Sequence, residues 1–371
     1  MTPWQIFLMT DLHTKMMKRA LVLARRGIGR TSPNPAVGCV IVRDGVVVGE
    51  GWHEKAGAPH AEVHALRRAG DMANRADVYV TLEPCSHFGR TPPCADALVE
   101  AGVARVFVGM VDPNPLVSGK GIDRLRAAGI EVVAGILEKE CRRVNEAFVK
   151  HVTTGMPLVI LKSAMTMDGK TATVSGDSKW ITSDKSRNYV HKLRAVVDCI
   201  MVGVGTVMAD DPLLTCRIGG RKKDPLRVIV DSRLRIPDGA RVLCPESEAK
   251  TLVATILRDG DRIDELKRRG LGIISCQENG GRVDLRDLLR KLGAMGIQSL
   301  LLEGGRELAG EALRLGLIDK FLLFYAPKLV GGEGPGLFGG RGVTRMDDAR
   351  KLGNVRIHRF GEDFMVEGYP E

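Results

Sequence analysis

Four residues in the first third of the chain have the types and the order of a catalytic zinc site. His60 and Glu62 stand in PHAEVHAL, and Cys85 and Cys94 stand in LEPCSHFGRTPPCADAL. Zinc binds imidazole and thiolate in a tetrahedron, so one histidine and two cysteines leave one position for water. The metal lowers the pKa of that water, and Glu62 could carry its proton. Cys94 opens a predicted helix, whose dipole favours a thiolate.

The order of these residues is that of the zinc-deaminase signature, His-x-Glu followed by Pro-Cys and a second Cys, with Glu as the acid and base. The spacing departs from that signature, because the eight residues SHFGRTPP replace the usual two between the cysteines. One alternative is a closed structural zinc site with His64 or His87 as the fourth ligand. Another is a pair of buried thiols without a metal.

Two glycine-containing segments in the second half could bind phosphate. Residues 203–206 (GVGT) follow an apolar run, but they lack the third glycine of the dinucleotide fingerprint. Residues 302–306 (LEGGR) run from a predicted strand through paired glycines into a predicted helix, a geometry that places phosphate at a helix N-terminus. The alternative for both segments is a simple turn after a strand.

Hydrophobic periodicity predicts the elements that must position these residues. Residues 14–26 have helical spacing, and Asp44-Gly45 between two apolar runs predicts a tight hairpin. Strands then alternate with helices, which indicates a layered α/β domain with a largely parallel sheet. The second half repeats this alternation, with helices predicted at 284–295 and 305–315 and strands between and after them.

The length of 371 residues favours two domains. We expect a zinc-dependent deaminase-type domain over 13–136, a linker helix over 137–155 and a second α/β domain over 156–371. The net charge of +10 is either a solvated basic surface or an attraction for anionic ligands. Aromatic residues make up 4% of the chain and no block of like charges occurs, which disfavours a nucleic-acid partner. With no signal peptide or anchor, the expected location is cytoplasmic.

Longer motifs in both halves resemble one known family. In the first half these are TSPNPAVGCVIV, GWHEKAGAPHAEVHAL, TLEPCSHFGRTPPCADAL and DPNP; in the second they are LKSAMTMDGKTA, SKWITS, GVGTVMADDPLLTCR and LLEGGRELAG. Together they resemble the bifunctional deaminase–reductases of riboflavin biosynthesis, over nearly the whole chain except about the first ten residues. The long insert between the cysteines is that family's own variant.

The resemblance implies a fold, an activity and two cofactors. The N-terminal domain would be a cytidine-deaminase-like three-layer α/β/α domain, and the C-terminal domain would be dihydrofolate-reductase-like α/β. One zinc ion per chain would be held by His60, Cys85 and Cys94, with Glu62 catalytic. The first domain would deaminate a diamino-pyrimidinone ribosylamine phosphate, and the second would use NADPH to reduce the ribosyl side chain to ribityl. The resemblance implies a homo-oligomer, and it implies no nucleic-acid or membrane partner.

The resemblance also assigns contact residues by position. The deaminase substrate would be bound by Asn34, His53 and Arg90. NADPH would be bound by Ala164, Trp180, Thr206, Asp210, Ser232, Glu303 and Gly305. The reductase substrate would be bound by Ser178, Arg194, Leu214 and Arg217. Taken alone, Asn34 is equally a turn residue, Arg90 a loop charge and Arg194 an exposed helix charge.

Two other functions fit part of the sequence. A nucleic-acid base deaminase with an accessory domain would use the same zinc chemistry. A zinc-stabilised scaffold or nucleotide-sensing module would need neither the open coordination position nor Glu62.

Overall fold

The computed structural model describes residues 3–86, 92–115, 117–218, 224–243 and 249–371, with side chains from residue 11 onward. The chain divides into two compact units, Met1–Gly155 and Met156–Glu371. Across the described residues, no helix has both the length and the apolar character needed to cross a membrane.

The first unit is built on a five-stranded mixed sheet with the order β2-β1-β3-β4-β5. Strand β1 is antiparallel to β2 and β3, whereas β3, β4 and β5 are parallel. The elements are α1 Pro3–Arg25, β1 Gly38–Arg43, β2 Val46–Trp52, α2 Ala61–Ala69, β3 Asp77–Leu82, α3 Cys94–Glu100, β4 Arg105–Met110, α4 Lys120–Ala127, β5 Glu131–Ala134, α5 Glu138–Val144 and α6 Glu146–Thr154.

The predicted hairpin is confirmed. Arg43 pairs with Val46, and the two residues between them, Asp44 and Gly45, have φ values of 51° and 78°. Both turn residues are therefore left-handed, which suits the right-handed twist of the flanking strands and explains the Asp-Gly sequence.

Helices cover both faces of this sheet. Strands β1, β3 and β4 are buried at nearly every position, so neither face is open to water. Helices α1 and α5 contact each other and the sheet, whereas α2, α3 and α4 contact one another in series. A side chain at Gly51 would meet the Ala61 carbonyl at 2.2 Å, so this glycine lets the start of α2 lie against β2.

The segment 137–155 forms two helices instead of one linker helix. They meet at Asn145, whose backbone angles of −113° and 23° interrupt the helical path. Cys141 of α5 is fully buried in the apolar core of the first unit. This segment therefore packs as part of the first unit.

The second unit is built on a nine-stranded sheet with the order β10-β9-β8-β7-β13-β6-β14-β16-β15. Within this sheet, the seven strands β10, β9, β8, β7, β13, β6 and β14 pair in parallel. Strand β16 pairs antiparallel with β14, and β15 pairs antiparallel with β16 at the edge. The elements are β6 Leu158–Thr166, α7 Asp184–Arg194, β7 Cys199–Gly203, α8 Val204–Asp210, β8 Leu226–Val230, β9 Thr251–Thr255, α9 Asp261–Arg268, β10 Gly272–Ser275, β11 Glu278–Asn279, β12 Arg282–Val283, α10 Leu285–Ala294, β13 Ser299–Glu303, α11 Arg306–Arg314, β14 Lys320–Ala326, β15 Leu352–Phe360 and β16 Asp363–Pro370.

Two apolar clusters in this unit contain residues from different sets of elements, one with α10 and α11 and the other with α8 and α9. Strands β7 and β13 are parallel neighbours, and each is followed by a helix, α8 and α11 respectively. Because the carboxyl ends of parallel strands meet at one edge, the starts of these two helices lie side by side.

Candidate functional site

The fold brings the three predicted zinc ligands together. His60 immediately precedes α2, Cys85 follows β3, and Cys94 is the first residue of α3. Their ligand atoms all lie within 4.8 Å of one another. The His60 Nδ1 atom is 3.2 Å from Cys94 Sγ and 3.6 Å from Cys85 Sγ. Tetrahedral zinc with ordinary bond lengths would separate such a nitrogen and sulfur by about 3.6 Å, so the donor set fits zinc.

The described residues supply no fourth protein ligand to this cluster. His64, one turn further along α2, does not belong to the group. Its Nε2 atom is buried and has no hydrogen-bond partner in the described part of the chain. His87, the other alternative, lies outside the described residues. Among the described residues, the number and type of donors match those of a catalytic zinc site.

The start of α3 donates a hydrogen bond to the sulfur of Cys85. The Cys94 backbone N–H donates to Cys85 Sγ at 3.3 Å. Hydrogen bonding from the Cys94 thiol and from His60 lowers the pKa of Cys85, and the shared proton together with burial raises the pKa of Cys94. We expected the helix dipole to favour a thiolate at Cys94. The Cys94 backbone N–H at this helix start points at the sulfur of Cys85.

Glu62 lies on the first turn of α2 with only 3% of its surface exposed. Burial and the nearby Cys85 sulfur raise the pKa of its carboxyl group to about 7. A carboxyl group with a pKa near neutrality both accepts and returns a proton readily. Its position two residues from His60 places it in the same buried site as the ligand cluster.

Asn34 and His53 meet beside this cluster. The Asn34 amide Nδ2 lies 3.3 Å from His53 Nε2, and the His53 and His60 rings pack edge to face at 5.3 Å. His53 Nδ1 lies 3.1 Å from the Pro59 carbonyl, which can only accept, so Nδ1 carries the proton. Burial lowers the pKa of His53, which keeps the ring neutral, and Nε2 accepts from Asn34. Arg90, the third predicted substrate contact, lies outside the described residues.

Glu83, which the sequence motifs do not indicate, holds the loop beside the zinc ligands. Its buried carboxylate accepts four backbone N–H groups. Oε2 accepts from Asp112 at 3.1 Å and from Gly119 at 3.0 Å; Oε1 accepts from Gly121 at 2.9 Å and from Ile122 at 3.3 Å. Glu83 lies two residues before Cys85. Its four hydrogen bonds therefore fix the backbone of Asp112 and the start of α4 relative to this zinc ligand. No pattern in the sequence indicates this role, because all four partners of Glu83 are backbone N–H groups.

In the second unit, the two predicted phosphate-binding segments touch. A side chain at Gly304 would lie 3.1 Å from Thr206, and one at Gly305 would lie 3.2 Å from it. Both glycines have positive φ, 66° and 75°, and α11 begins at the next residue. The backbone is therefore bare where a helix N-terminus begins, which is a cradle that suits a nucleotide phosphate.

Arg194 and Glu303 bind each other. Arg194 Nε and Nη2 donate to the two carboxylate oxygens of Glu303 at 2.9 and 2.8 Å, and Nη1 donates to the Thr215 carbonyl at 3.2 Å. Burial opposes ionisation of Glu303, but the Arg194 guanidinium lowers the pKa of this carboxyl to about 2. Arg194, which we expected to bind the substrate phosphate, thus binds Glu303, which we expected to contact NADPH. Burial lowers the pKa of Lys162, which pairs in register with Glu303 on β6.

Arg217 and His191 lie close to this pair. The Arg217 backbone N–H donates to His191 Nδ1 at 3.3 Å, while its side chain is exposed. Burial and the proximity of Arg194 lower the pKa of Arg217, and burial with both arginines lowers that of His191. Adjacent cations that disfavour each other's charge suit an anionic ligand.

The other assigned positions are distributed over the second unit. Ser178 and exposed Trp180 line one pocket of about 120 Å³, and Arg187 stacks on the Trp180 ring at 4.4 Å. Leu214 is 3% exposed in an apolar cluster, so its side chain serves the core. Ser232 Oγ accepts the Val283 N–H at 3.0 Å. Ala164 is half-buried in β6, and Asp210 is exposed at the end of α8.

Fold and site define a class, in which a zinc-site deaminase unit and a nucleotide-dependent reductase unit share one chain. Residues 10–110 match the cytidine and deoxycytidylate deaminase zinc-binding region, and residues 157–366 match the RibD C-terminal domain. The chain belongs to the RibD family of bifunctional deaminase–reductases of riboflavin biosynthesis.

Individual relatives match the chain from end to end. Riboflavin biosynthesis protein RibD of Actinobacillus pleuropneumoniae is 46% identical over 360 residues, which cover 97% of this chain and 95% of that protein. Acinetobacter baumannii RibD is 41% identical with a TM-score of 0.88, covering 98% of this chain and 99% of that one. A Thermotoga maritima diaminohydroxyphosphoribosylaminopyrimidine deaminase/5-amino-6-(5-phosphoribosylamino)uracil reductase is 37% identical with a TM-score of 0.85 over 98% and 99% of the two chains.

Proposed function

We propose that this chain performs two consecutive steps of riboflavin biosynthesis. The first is the hydrolytic deamination of 2,5-diamino-6-(5-phosphoribosylamino)pyrimidin-4(3H)-one. The second is the NADPH-dependent reduction of the ribosyl side chain of 5-amino-6-(5-phosphoribosylamino)uracil to ribityl. The observation that carries the proposal is the cluster of His60, Cys85 and Cys94, with buried Glu62 on the same helix start.

In the first step, water replaces the ring amino group and ammonia leaves. Zinc held by His60, Cys85 and Cys94 would supply Lewis acidity that lowers the pKa of a bound water. Glu62 accepts one proton of the attacking water and delivers it to the ring nitrogen. It then takes the second proton from the new hydroxyl group and delivers it to the amine, which leaves as ammonia while the ring carbonyl forms. Asn34 and His53 orient the pyrimidine ring, and Arg90 binds the substrate phosphate.

In the second step, NADPH held by the second unit would supply the hydride, and the protein binds and orients the two reactants. The bare backbone at Gly304 and Gly305, beside Thr206, receives a cofactor phosphate at the start of α11. Arg194 keeps Glu303 ionised, and Arg217 receives the substrate phosphate.

The remaining assignments complete the proposal. NADPH also contacts Ala164, Trp180, Asp210 and Ser232, and the reductase substrate also contacts Ser178 and Leu214, through the backbone at Leu214 because its side chain is buried. The deaminase domain begins near residue 13 and the reductase domain near residue 156. The enzyme works in the cytoplasm as a homo-oligomer, without a nucleic-acid or membrane partner.

A coupled assay tests the proposal. Purified zinc-loaded protein receives the diamino-pyrimidinone phosphate and NADPH, and ammonia release and NADPH consumption are followed together. We expect equal amounts of ammonia and oxidised cofactor at completion. Ammonia release from single-stranded DNA or tRNA, with none from the pyrimidinone phosphate, would instead indicate a nucleic-acid base deaminase.

A further inference from the structure

Asn145, at the junction of α5 and α6, uses its side chain in an unexpected way. It occupies the N-cap position of α6, where asparagine normally accepts a hydrogen bond from the first turn of the helix. Its side chain makes no such bond. Instead, Oδ1 accepts the Ala36 N–H at 2.8 Å and Nδ2 donates to the Ala36 carbonyl at 3.0 Å. Asn145 is only 4% exposed, and both hydrogen bonds of its amide go to Ala36, which is 109 residues earlier in the chain.

The loop that Asn145 holds is the one that carries Asn34. It connects α1 to β1, and the next residue after Ala36, Val37, accepts the backbone N–H of His53 at 2.9 Å. Asn34 in turn contacts His53 Nε2 through its amide. The backbone at Ala36 and Val37 therefore sets the position of Asn34 relative to His53 and, through the ring contact, to His60.

We propose that Asn145 is a positioning residue for the deamination reaction. Its two hydrogen bonds fix the backbone of Ala36 and so hold Asn34 in the orientation that binds the pyrimidine ring. This inference rests on the proposed function, in which Asn34 contacts the substrate. It also makes the segment between residues 138 and 154 a working part of the deaminase site, where the sequence indicated only a linker.

Asn145→Asp separates this role from helix stability. Aspartate has nearly the same size, caps helices as well as asparagine does and still accepts the Ala36 N–H. It loses the NH₂ donor and places a carboxylate oxygen against the Ala36 carbonyl. We expect the KM for ammonia release to rise at least about tenfold, since small displacements of a substrate-orienting group have large effects. Zinc content, and NADPH oxidation with the aminouracil substrate supplied directly, should equal those of the wild type.

A second variant and a control keep the test decisive. Asn145→Ser retains a helix-capping side chain without a buried charge, and it should raise the KM in the same way. Asn74→Asp adds the same charge at an exposed position of the first unit and should behave as the wild type. The inference is overturned if both Asn145 variants keep the wild-type KM, or if zinc loss and a lower melting temperature account for the whole loss of activity. A wild-type protein that releases no ammonia would remove the proposed function itself, and the inference with it.

Discussion

Glu83→Gln replaces one oxygen of a carboxylate that accepts four backbone N–H groups. Each oxygen holds two of them, at distances between 2.9 and 3.3 Å. Glutamine keeps one oxygen and puts an NH₂ group in the place of the other. Whichever way the amide is turned, two backbone donors then face a donor: either Gly121 and Ile122, which are buried, or Asp112 and Gly119, which are partly buried. The backbone at Asp112 and Gly119, or the start of α4, must move away.

The size of the effect follows from these lost bonds. A hydrogen bond to a charged group contributes about 1.5–3 kcal/mol net, so losing two destabilises the first unit by about 3–6 kcal/mol. The free energy of unfolding falls by about 1–3 kcal/mol per molar urea. A loss of about 3 kcal/mol therefore lowers the urea midpoint of the first unit by at least about 1 M relative to the wild type. This is a large part of the stability of an ordinary domain.

Zinc release into a chromogenic chelator during a urea titration reports on the first unit alone. NADPH binding in the same titration reports on the second unit and should keep its own midpoint. Glu100→Gln, an exposed change in the same unit, is the matched control and should leave zinc release unchanged. A zinc-release midpoint of Glu83→Gln equal to that of the wild type would refute the role given to this carboxylate.

Three further changes test the two sites. Glu62→Gln should retain zinc and lose ammonia release, because the amide cannot carry the proton; full activity would contradict this. The lowered pKa of Glu303, from 4.5 to about 2, contributes up to about 3 kcal/mol above pH 4.5 that is lost as the pH falls toward 2. Acid unfolding followed by circular dichroism should lose part of this pH dependence in Glu303→Gln, and an unchanged profile would be contrary. Gly304→Ala should weaken NADPH binding about tenfold or more, because its φ is positive and Thr206 lies 3.1 Å away, while ammonia release stays normal.

The zinc cluster was predictable because zinc binding depends on a few side-chain types, which can be read directly from the sequence. His60, Cys85 and Cys94 have few other reasons to occur in that order, and the structure brings their donors together. The hairpin at Asp44-Gly45 was equally local, since its turn needs two left-handed residues.

Glu83 and Asn145 could not be found in the same way. Their partners are backbone groups, Glu83's between 29 and 39 residues away and Asn145's 109 residues away, and backbone groups leave no mark on the sequence. The pairing of Arg194 with Glu303 was also hidden, although both residues were noted separately. Neither local pattern indicates that the last residue of α7 contacts the last residue of β13.

The C-terminal hairpin of β15 and β16 was not placed by the sequence analysis. Its edge strand is exposed over Val355 and Ile357, which weakens the contrast between apolar and polar faces. Yet this hairpin matters to the site region, because buried Asp363 accepts the Ser183 N–H at 2.8 Å and the hydroxyls of Ser183 and Ser186 at 2.6 Å. These bonds fix the start of the helix that carries Arg194.

X-ray absorption at the zinc edge of the purified, reduced protein tests the central claim most directly. The account predicts one zinc per chain, coordinated by one imidazole nitrogen, two sulfurs and one oxygen of water, with the sulfur signal lost in Cys85→Ser/Cys94→Ser. A fourth protein ligand, or no zinc bound in the presence of excess metal, would contradict it.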